Sequence, residues 1–252
     1  MFPIASIAFV GGMITGSFLG VVADRVPRGR SIVTPRSACD SCGTEIAAYD
    51  NVPVLSWLFL GGRCRSCSTR IPARYPLIEL AVGAAFAATT IVLIDDPAAL
   101  GLGLVFVAVL AAVTLTDLEL RVIPNAILLV GAVIGVAIVA ATDPGSLPVR
   151  AIAAAGAGGF LLLVALVYPR GMGMGDVKLA AVMGLFLGAS VIPALFIGIA
   201  LGAIVGTGLM LRRGTGARKQ AVPLGPFLAV GGVAGLLAGS QMIDWYLNTF
   251  VG

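Results

Sequence analysis

Long, uninterrupted apolar runs are the main pattern of this chain. Continuous runs of about 20 residues are typical of membrane-spanning α-helices, whereas the strands of a membrane β-barrel alternate apolar and polar residues. We predict eight spans, of which the sixth is short and is expected to tilt or to stop part-way through the membrane. The first span has no basic segment before it, so we do not expect it to be a cleavable signal. The spans lie at roughly residues 4–23, 77–94, 98–116, 122–141, 151–168, 177–188, 191–211 and 224–243.

The composition agrees with this pattern. Hydrophobic residues make up 59% of the 252 residues and charged residues only 11%. These proportions predict an all-α polytopic membrane protein. A polar, turn-rich loop follows the first span, so we divide the chain into a first transmembrane helix (1–23), a loop domain (24–76) and a larger membrane domain (77–252).

The basic residues predict the orientation of the chain in the membrane. With the N-terminus outside, Arg150 is the only one of the 16 Lys and Arg residues on the exterior side. The others, among them Arg170, Arg218 and Lys219, then face the cytoplasm, as the positive-inside rule requires. The loop 24–76 is therefore expected to be cytoplasmic. The net charge of +4 suits anionic membrane lipids, and we expect no nucleic-acid partner.

Glycines recur at four-residue spacing in three of the predicted spans. Small residues at this spacing let helix backbones approach closely in lipid, and we expect most of them to serve helix packing. A groove for a substrate helix is the alternative. The three sets are Gly12, Gly16 and Gly20, then Gly198, Gly202 and Gly206, then Gly231, Gly235 and Gly239.

All four cysteines lie in the loop, as two C-x-x-C pairs that are separated by 21 residues, Cys39 with Cys42 and Cys64 with Cys67. Four thiolates at this spacing predict a tetrahedral zinc site, and four sulfur ligands close the coordination shell, so the zinc would be structural. Disulfides and an iron–sulfur cluster are the alternatives, although a reducing cytoplasm disfavours disulfides. A metal also suits a loop of this size, which is too small to form a large core.

Two aspartates, Asp117 and Asp176, lie at the cytoplasmic border of the predicted membrane domain. Asp117 follows an apolar run, and Asp176 follows the glycine-rich segment that starts at Gly171. The chain has no histidine, so carboxylates are the simplest groups for proton transfer near neutral pH. The structural alternatives are a headgroup-facing carboxylate at a helix end for Asp117 and a helix cap for Asp176.

If the two carboxylates meet, their repulsion favours a pair that holds one proton. One Asp could then activate a water molecule while its protonated partner polarises a peptide carbonyl, as in aspartic proteases. For the charged residues near the same border we expect structural ion pairing. These residues are Glu79, Glu119, Arg121 and Lys178.

Taken together, these motifs resemble those of type IV prepilin peptidases, a family of polytopic aspartic proteases of the bacterial inner membrane. Gly173-x-Gly175-Asp176 resembles the family's GxGD motif, and Asp117 with Ile123-Pro124-Asn125 downstream resembles its first catalytic aspartate. The sequence departs from the family's common residues at Gly20, Asp40 and Leu224. Further matching segments are Gly16-Ser17-Phe18-Leu19, Arg25-Val26-Pro27, Pro35-Arg36-Ser37-x-Cys39-x-x-Cys42, Asp50-Asn51-x-Pro53-x-x-Ser56-Trp57, Gly62-Arg63-Cys64-Arg65-x-Cys67, Arg74-Tyr75-Pro76-x-x-Glu79 and Pro223-x-Gly225-Pro226-Phe227.

The resemblance implies an aspartic peptidase that uses Asp117 and Asp176, with Gly173, Gly175 and Lys178 in the active-site loop. The implied substrates are prepilins and pseudopilins, whose basic leaders would be cut at the cytoplasmic face of the inner membrane. Methylation of the new N-terminus with S-adenosylmethionine is a second implied activity. The alternatives are a peptidase without methylation, a transporter or proton pathway with a regulatory zinc loop, and an inactive assembly scaffold.

Overall fold

The structure is a computed structural model that describes residues 2–168, 172–213 and 223–251. Four residues from the sequence argument, Arg170, Gly171, Arg218 and Lys219, lie outside these ranges.

The described residues form nine α-helices and no β-strand, apart from two isolated bridges in the loop. This confirms the predicted all-α class. The helices are α1 (Phe2–Arg25), α2 (Leu55–Phe59), α3 (Arg74–Leu93), α4 (Pro97–Leu120), α5 (Asn125–Thr142), α6 (Leu147–Val167), α7 (Met174–Leu187), α8 (Val191–Arg213) and α9 (Gly225–Phe250).

Seven segments of the described chain are long and apolar enough to cross a membrane, where we predicted about eight spans. The difference arises in Met174–Arg212, a single apolar segment of 39 residues that contains both α7 and α8. The 3₁₀ turn Gly188–Ser190 separates these two helices. Helix α7 has 14 residues and is therefore about 21 Å long, which is less than the roughly 30 Å of a bilayer's hydrocarbon core.

A glycine and an arginine end α7. Gly188 has φ +57° and ψ −133°, a conformation that is essentially restricted to glycine, and it interrupts the helical path. Arg150 of α6 donates hydrogen bonds to the carbonyl oxygens of Leu185 and Phe186, at 3.2 and 2.7 Å. The guanidinium thus satisfies carbonyls in the last turn of α7 that have no partner within the helix.

The chain forms two compact units, residues 1–94 and 95–252. The first contains α1, α3 and the loop between them with α2, and the second contains α4 to α9. The predicted loop domain 24–76 therefore shares a unit with the helices on both sides of it. The functional division into 1–23, 24–76 and 77–252 stays a prediction.

In the first unit, α1 and α3 pack with their backbones in contact. A Cβ added at Gly12 would lie 2.8 Å from the Cα of Gly83, and one at Gly16 would lie 3.0 Å from the Cα of Glu79. Gly20 has no such neighbour in the described ranges, where nothing lies within 4 Å of a Cβ added there. The packing role predicted for this glycine set therefore holds for two of its members.

The second unit has its core between α4, α7 and α9. Phe106 and Leu110 of α4, Leu179 and Met183 of α7, and Leu228 of α9 are fully buried. Each of these three helices contacts the other two. Since α4 ends in the segment with Asp117 and α7 begins in the segment with Asp176, this core holds together the two helices that carry the aspartates.

Glycines also line the contact between α8 and α9. Added Cβ atoms at Gly231 and Gly235 would collide with the backbone or side chain of Ala194, and one at Gly198 would lie 3.0 Å from the Cα of Leu228. Among the residues that the structure describes, Gly206 has nothing within 4 Å of such an atom. As with Gly20 in α1, the last glycine of the α8 set has no close neighbour in the described part of the chain.

Candidate active site and metal centre

Asp117 lies in the last turn of α4 and is buried, with 6% of its surface exposed. The helix ends three residues later at Leu120, and Arg121 then turns the chain with φ +54° in the left-handed region. The Arg121 N–H donates to the carbonyl oxygen of Asp117, which closes this final turn. The burial of Asp117 argues against the structural alternative, in which its carboxylate faces the lipid headgroups.

A backbone N–H from the start of α9 holds the Asp117 side chain. Gly225 donates to Oδ2 of Asp117 at 2.9 Å. Gly225 is the first residue of α9, so its N–H is one of the donors that find no partner within a helix. A Cβ at this position would lie 2.6 Å from the same oxygen, so only glycine leaves room for the carboxylate.

Asp176 is the third residue of α7 and is half-buried. Its Oδ2 accepts a hydrogen bond from the Gly173 N–H at 3.1 Å, which satisfies a free donor at the start of the helix. The capping role that we gave as the structural alternative is therefore present. It does not compete with a catalytic role, since a carboxylate that caps a helix is also held in a defined orientation.

The structure brings the two predicted aspartates into the same region of the second unit. They lie at the end of α4 and the start of α7, two helices that contact each other. Spacing in the sequence did not show this proximity. Two carboxylates held at neighbouring helix ends can share one proton if the distance between them closes to a hydrogen bond.

The remaining predicted site residues, Gly173, Gly175 and Lys178, surround Asp176. Gly173 supplies the capping N–H described above. A Cβ at Gly175 would lie 2.9 Å from the Cβ of Ile123, in the turn between α4 and α5. Lys178 donates from Nζ to Oδ1 of Asn125 at 2.9 Å. We predicted that Lys178 forms an ion pair. In the described part of the chain this prediction is wrong, because Lys178 donates to the neutral side-chain amide of Asn125.

Glu79 departs from the prediction in the same way. Its side chain is buried in α3, and Oε2 accepts the N–H of Val54 at 2.7 Å rather than pairing with a described cation. Val54 is the residue before α2 and has φ +61°. A buried carboxylate thus fixes the loop at the point where its short helix begins.

The four predicted metal ligands form two similar knuckles in the loop. In the first, Cys39 N–H donates to the Thr44 carbonyl at 2.9 Å, and Gly43 N–H donates to the Cys39 carbonyl at 2.8 Å. In the second, Cys64 and Thr69 are joined in the same way at 2.9 Å. The repeated C-x-x-C segment therefore folds twice into the same turn, which directs its two sulfurs to one side.

The sulfur positions fit a metal. All four Sγ atoms lie within 4.8 Å of one another, and those of Cys39 and Cys67 are 3.8 Å apart. A tetrahedral site with metal–sulfur bonds of about 2.3 Å has sulfurs about 3.8 Å apart. The four cysteines are free rather than disulfide-bonded. Their arrangement can hold a single metal ion.

Threonine hydroxyls lie beside two of the four thiols, those of Cys42 and Cys67. The Thr69 hydroxyl oxygen lies 3.3 Å from Sγ of Cys67, and hydrogen bonds from the Thr69 hydroxyl and backbone lower the pKa of this thiol to about 6. Thr44 lowers the pKa of Cys42 by the same two kinds of bond. Lower pKa values favour the thiolate form, which is the form that binds a metal.

An ion pair supports the loop. Arg65 binds Asp50 through two hydrogen bonds of 2.7 and 2.6 Å, and its guanidinium lies 5.5 Å from the ring centre of Tyr49. The hydrogen bonds from Arg65 hold the pKa of Asp50 below its usual value. This contact joins the second knuckle to the segment between the two knuckles.

Two family models match the chain. The bacterial peptidase A24 N-terminal domain matches residues 10–93, which include all four cysteines. The type IV leader peptidase family matches residues 104–207, which include both aspartates. The two matches fall in the two compact units of the structure.

Curated proteins that match the chain are named prepilin leader peptidase/N-methyltransferase. The one from Bacillus subtilis (strain 168) is 34% identical, and the alignment covers 98% of this chain and 99% of that protein. The one from Aeromonas hydrophila is 34% identical over 98% of this chain and 94% of that protein. The one from Myxococcus xanthus (strain DK1622) is 37% identical over 82% of this chain and 63% of that protein. No solved structure matches the chain.

Proposed function

Because the chain belongs to the type IV leader peptidase family, we propose that it cuts the basic leader from type IV prepilins and pseudopilins and methylates the new N-terminus. The observation that carries this proposal is the pair Asp117 and Asp176, on two contacting helices of one compact unit. Similarity to the named peptidases over nearly the whole chain supports it.

The proposed chemistry is that of an aspartic protease. One carboxylate of the pair takes a proton from a water molecule, whose oxygen attacks the carbonyl carbon of the scissile peptide bond. The other carboxyl is protonated and donates a hydrogen bond to the carbonyl oxygen. The tetrahedral intermediate then collapses: a proton passes to the amide nitrogen, the C–N bond breaks, and the leader leaves with a new carboxylate.

The described contacts suit this chemistry. Gly225 N–H holds one oxygen of Asp117, and Gly173 N–H holds one oxygen of Asp176. Each carboxylate is thus oriented by a backbone donor that cannot rotate away. Fixed orientation of the reacting groups contributes directly to rate, because the enzyme does not have to reorganise them during reaction.

For the four cysteines we propose a structural zinc ion. Cys39, Cys42, Cys64 and Cys67 would supply four thiolates at tetrahedral separations. Such a site has no open coordination position, so the metal would hold the two knuckles together and take no part in peptide hydrolysis.

The protein is a multi-pass membrane protein. We propose that it lies in the bacterial inner membrane with the cysteine loop and both aspartates on the cytoplasmic side. The support is the distribution of basic residues, which leaves Arg150 alone on the exterior side. The methylation would use S-adenosylmethionine, an inference that follows from the names of the matching proteins.

Leader cleavage in membranes tests the proposal. A prepilin is incubated with membranes that contain the wild type, Asp117→Asn, Asp176→Asn or the control Asp244→Asn, whose side chain is exposed near the end of α9. Asn keeps the size of Asp but cannot transfer a proton. We expect both active-site variants to lose cleavage at normal protein levels, and the control to keep it.

If both variants still cut the prepilin, the aspartic mechanism does not apply. Methylation is measured separately, as transfer of a labelled methyl group from S-adenosylmethionine to a prepilin that has already been cut. Transfer that persists in Asp117→Asn and Asp176→Asn would show that a second site performs it. A wild-type protein that cuts but transfers no label would be a peptidase alone.

A further inference from the structure

The turn between α4 and α5 touches the start of α7 at two points. The first is polar: Lys178 Nζ donates to Oδ1 of Asn125, the first residue of α5, at 2.9 Å. The second is steric: Gly175 packs so closely on Ile123 that a Cβ at residue 175 would lie 2.9 Å from the Ile123 Cβ. Two independent contacts therefore join these segments.

The contacts flank the aspartates on both segments. On α7, Gly175 and Lys178 lie on either side of Asp176 in the sequence. On the other segment, Ile123 and Asn125 follow Asp117 after a short connection. That connection is tied back to Asp117, because the Arg121 N–H donates to the Asp117 carbonyl oxygen at 3.0 Å. A shift of Ile123 or Asn125 is consequently transmitted to the end of α4.

We propose that Ile123 and Asn125 are positioning residues, which dock the start of α7 against the end of α4 and so set the separation of the two carboxylates. The proposal rests on the aspartic peptidase activity proposed above. Neither side chain has to touch the reacting atoms for this role. Its importance follows from geometry, since a displacement of about 1 Å in a catalytic group can lower a rate about a hundredfold.

Substrate binding by Lys178, instead of positioning of α7, would change different kinetic constants. If the ammonium bound an anionic group of the substrate, loss of its charge would raise KM, and Asn125 would be unimportant. If the hydrogen bond positions α7, loss of either partner lowers kcat and leaves KM nearly unchanged. The two roles are therefore separable with the same substrate.

The first test is a double-mutant cycle on the hydrogen bond. The variants are Asn125→Ala, Lys178→Met, the double variant and the conservative Lys178→Arg. The exposed Asn248→Ala of α9 is the control. We expect each single loss to lower kcat about tenfold, the double variant to fall no further, and Lys178→Arg to recover most of the rate.

The second test uses the steric contact. Gly175→Ala forces Ile123 to move, so we expect kcat to fall about tenfold or more. Ile123→Gly removes the Cβ that obstructs residue 175, and the double variant Gly175→Ala/Ile123→Gly should return to within about threefold of Ile123→Gly alone. Gly156→Ala in α6, where a Cβ meets open space, should match the wild type.

Amide hydrogen exchange tests the contact without using activity. In the detergent-solubilised full chain, Asn125→Ala and Lys178→Met should each speed exchange in peptides that cover residues 172–180. This measurement also separates the two proposals. If Asp117→Asn and Asp176→Asn cut normally, the peptidase mechanism fails, whereas faster exchange in the docking variants would still show that the contact fixes the start of α7.

Three results would overturn the positioning role. One is a wild-type kcat for Asn125→Ala. Another is a purely additive effect in the hydrogen-bond cycle together with unchanged exchange. The third is a rise in KM for Lys178→Met alone, which would assign Lys178 to substrate binding.

Discussion

Asp117 Oδ2 accepts the backbone N–H of Gly225 at 2.9 Å, although the two residues are 108 positions apart in the chain. The donor is the first N–H of α9, which no carbonyl within that helix can satisfy. Helix α9 thus uses a free end to hold a buried carboxylate at the end of α4. The relationship gives the segment Pro223-x-Gly225-Pro226 a specific role that its sequence did not reveal.

Gly225→Ala should nearly abolish leader cleavage. The added Cβ would lie 2.6 Å from Asp117 Oδ2, so the carboxylate must rotate or α9 must move away. We expect a loss of about a hundredfold in kcat/KM, as for other displacements of a catalytic group by about 1 Å. The measurement is a cleavage time course at matched protein levels.

Gly156→Ala in α6 is the control for this substitution, because no described residue lies within 4 Å of a Cβ there. Near-normal cleavage by Gly225→Ala, with Gly156→Ala also normal, would show that the close contact between Gly225 and Asp117 is not needed for activity.

Removal of the metal should disorder the loop without changing the chemistry at the aspartates. Purified protein is expected to contain one zinc per chain, and Cys64→Ser should lose it because three thiolates bind far more weakly than four. The measurements are metal analysis and limited proteolysis between residues 30 and 72. Ser66→Ala, between two ligands of the same knuckle, is the control that should keep its zinc.

Two results would contradict a structural zinc site. Iron with bound sulfide in the purified protein would show a cluster instead. Intact disulfides between the cysteines, seen by mass spectrometry of unreduced peptides, would show that the thiols pair with each other. The four cysteines are free thiols, and the Sγ atoms of Cys39 and Cys67 lie 3.8 Å apart, and both observations argue for a metal.

The buried Glu79 provides a stability prediction for the first unit. Glu79→Leu leaves the Val54 N–H without its acceptor and should destabilise the unit by about 1–3 kcal/mol. Glu79→Gln keeps an acceptor oxygen and should cost less. Thermal unfolding of the detergent-solubilised protein measures both. Equal losses in the two variants would mean that the negative charge, rather than the hydrogen bond to Val54, is what the loop requires.

Local patterns in the sequence predicted the helices and the cysteine cluster well. Each apolar run becomes a helix because the backbone must satisfy its own hydrogen bonds in lipid. The two C-x-x-C pairs become matching knuckles because each pair is a short, local turn. Even the short sixth span corresponds to a real feature, since α7 ends at Gly188 after only 14 residues.

Contacts between distant segments were not predictable in the same way. Gly225 as the partner of Asp117 and Val54 as the partner of Glu79 both depend on a backbone N–H, and every residue except proline carries one. Four-residue glycine spacing also shows only that a helix can be approached closely. It does not show which of the glycines meet a neighbouring helix, and in the described residues Gly20 and Gly206 have no close neighbour.

Arg150 makes another contact that the sequence did not predict, with the last turn of α7. The sequence marked it as the lone exterior cation, and the structure shows its guanidinium bound to the carbonyls of Leu185 and Phe186. Arg150→Met removes the charged donor but keeps an unbranched apolar side chain. We expect a loss of about 1–3 kcal/mol in unfolding free energy, because hydrogen bonds that involve a charged group contribute about that much. Arg150→Lys should recover only part of it, since a single ammonium does not reproduce the planar fork of donors.

Thermal unfolding of the second unit, followed by hydrogen exchange in peptides from α7, measures this effect. Arg212→Met is the matched control, because this exposed arginine lies near the end of α8. Leader cleavage at low temperature should persist in Arg150→Met, since Asp176 lies at the opposite end of α7. If Arg150→Met unfolds like the wild type, the last turn of α7 does not need its donor. If cleavage is lost while the unit stays folded, the end of α7 controls the position of Asp176 over the full length of the helix.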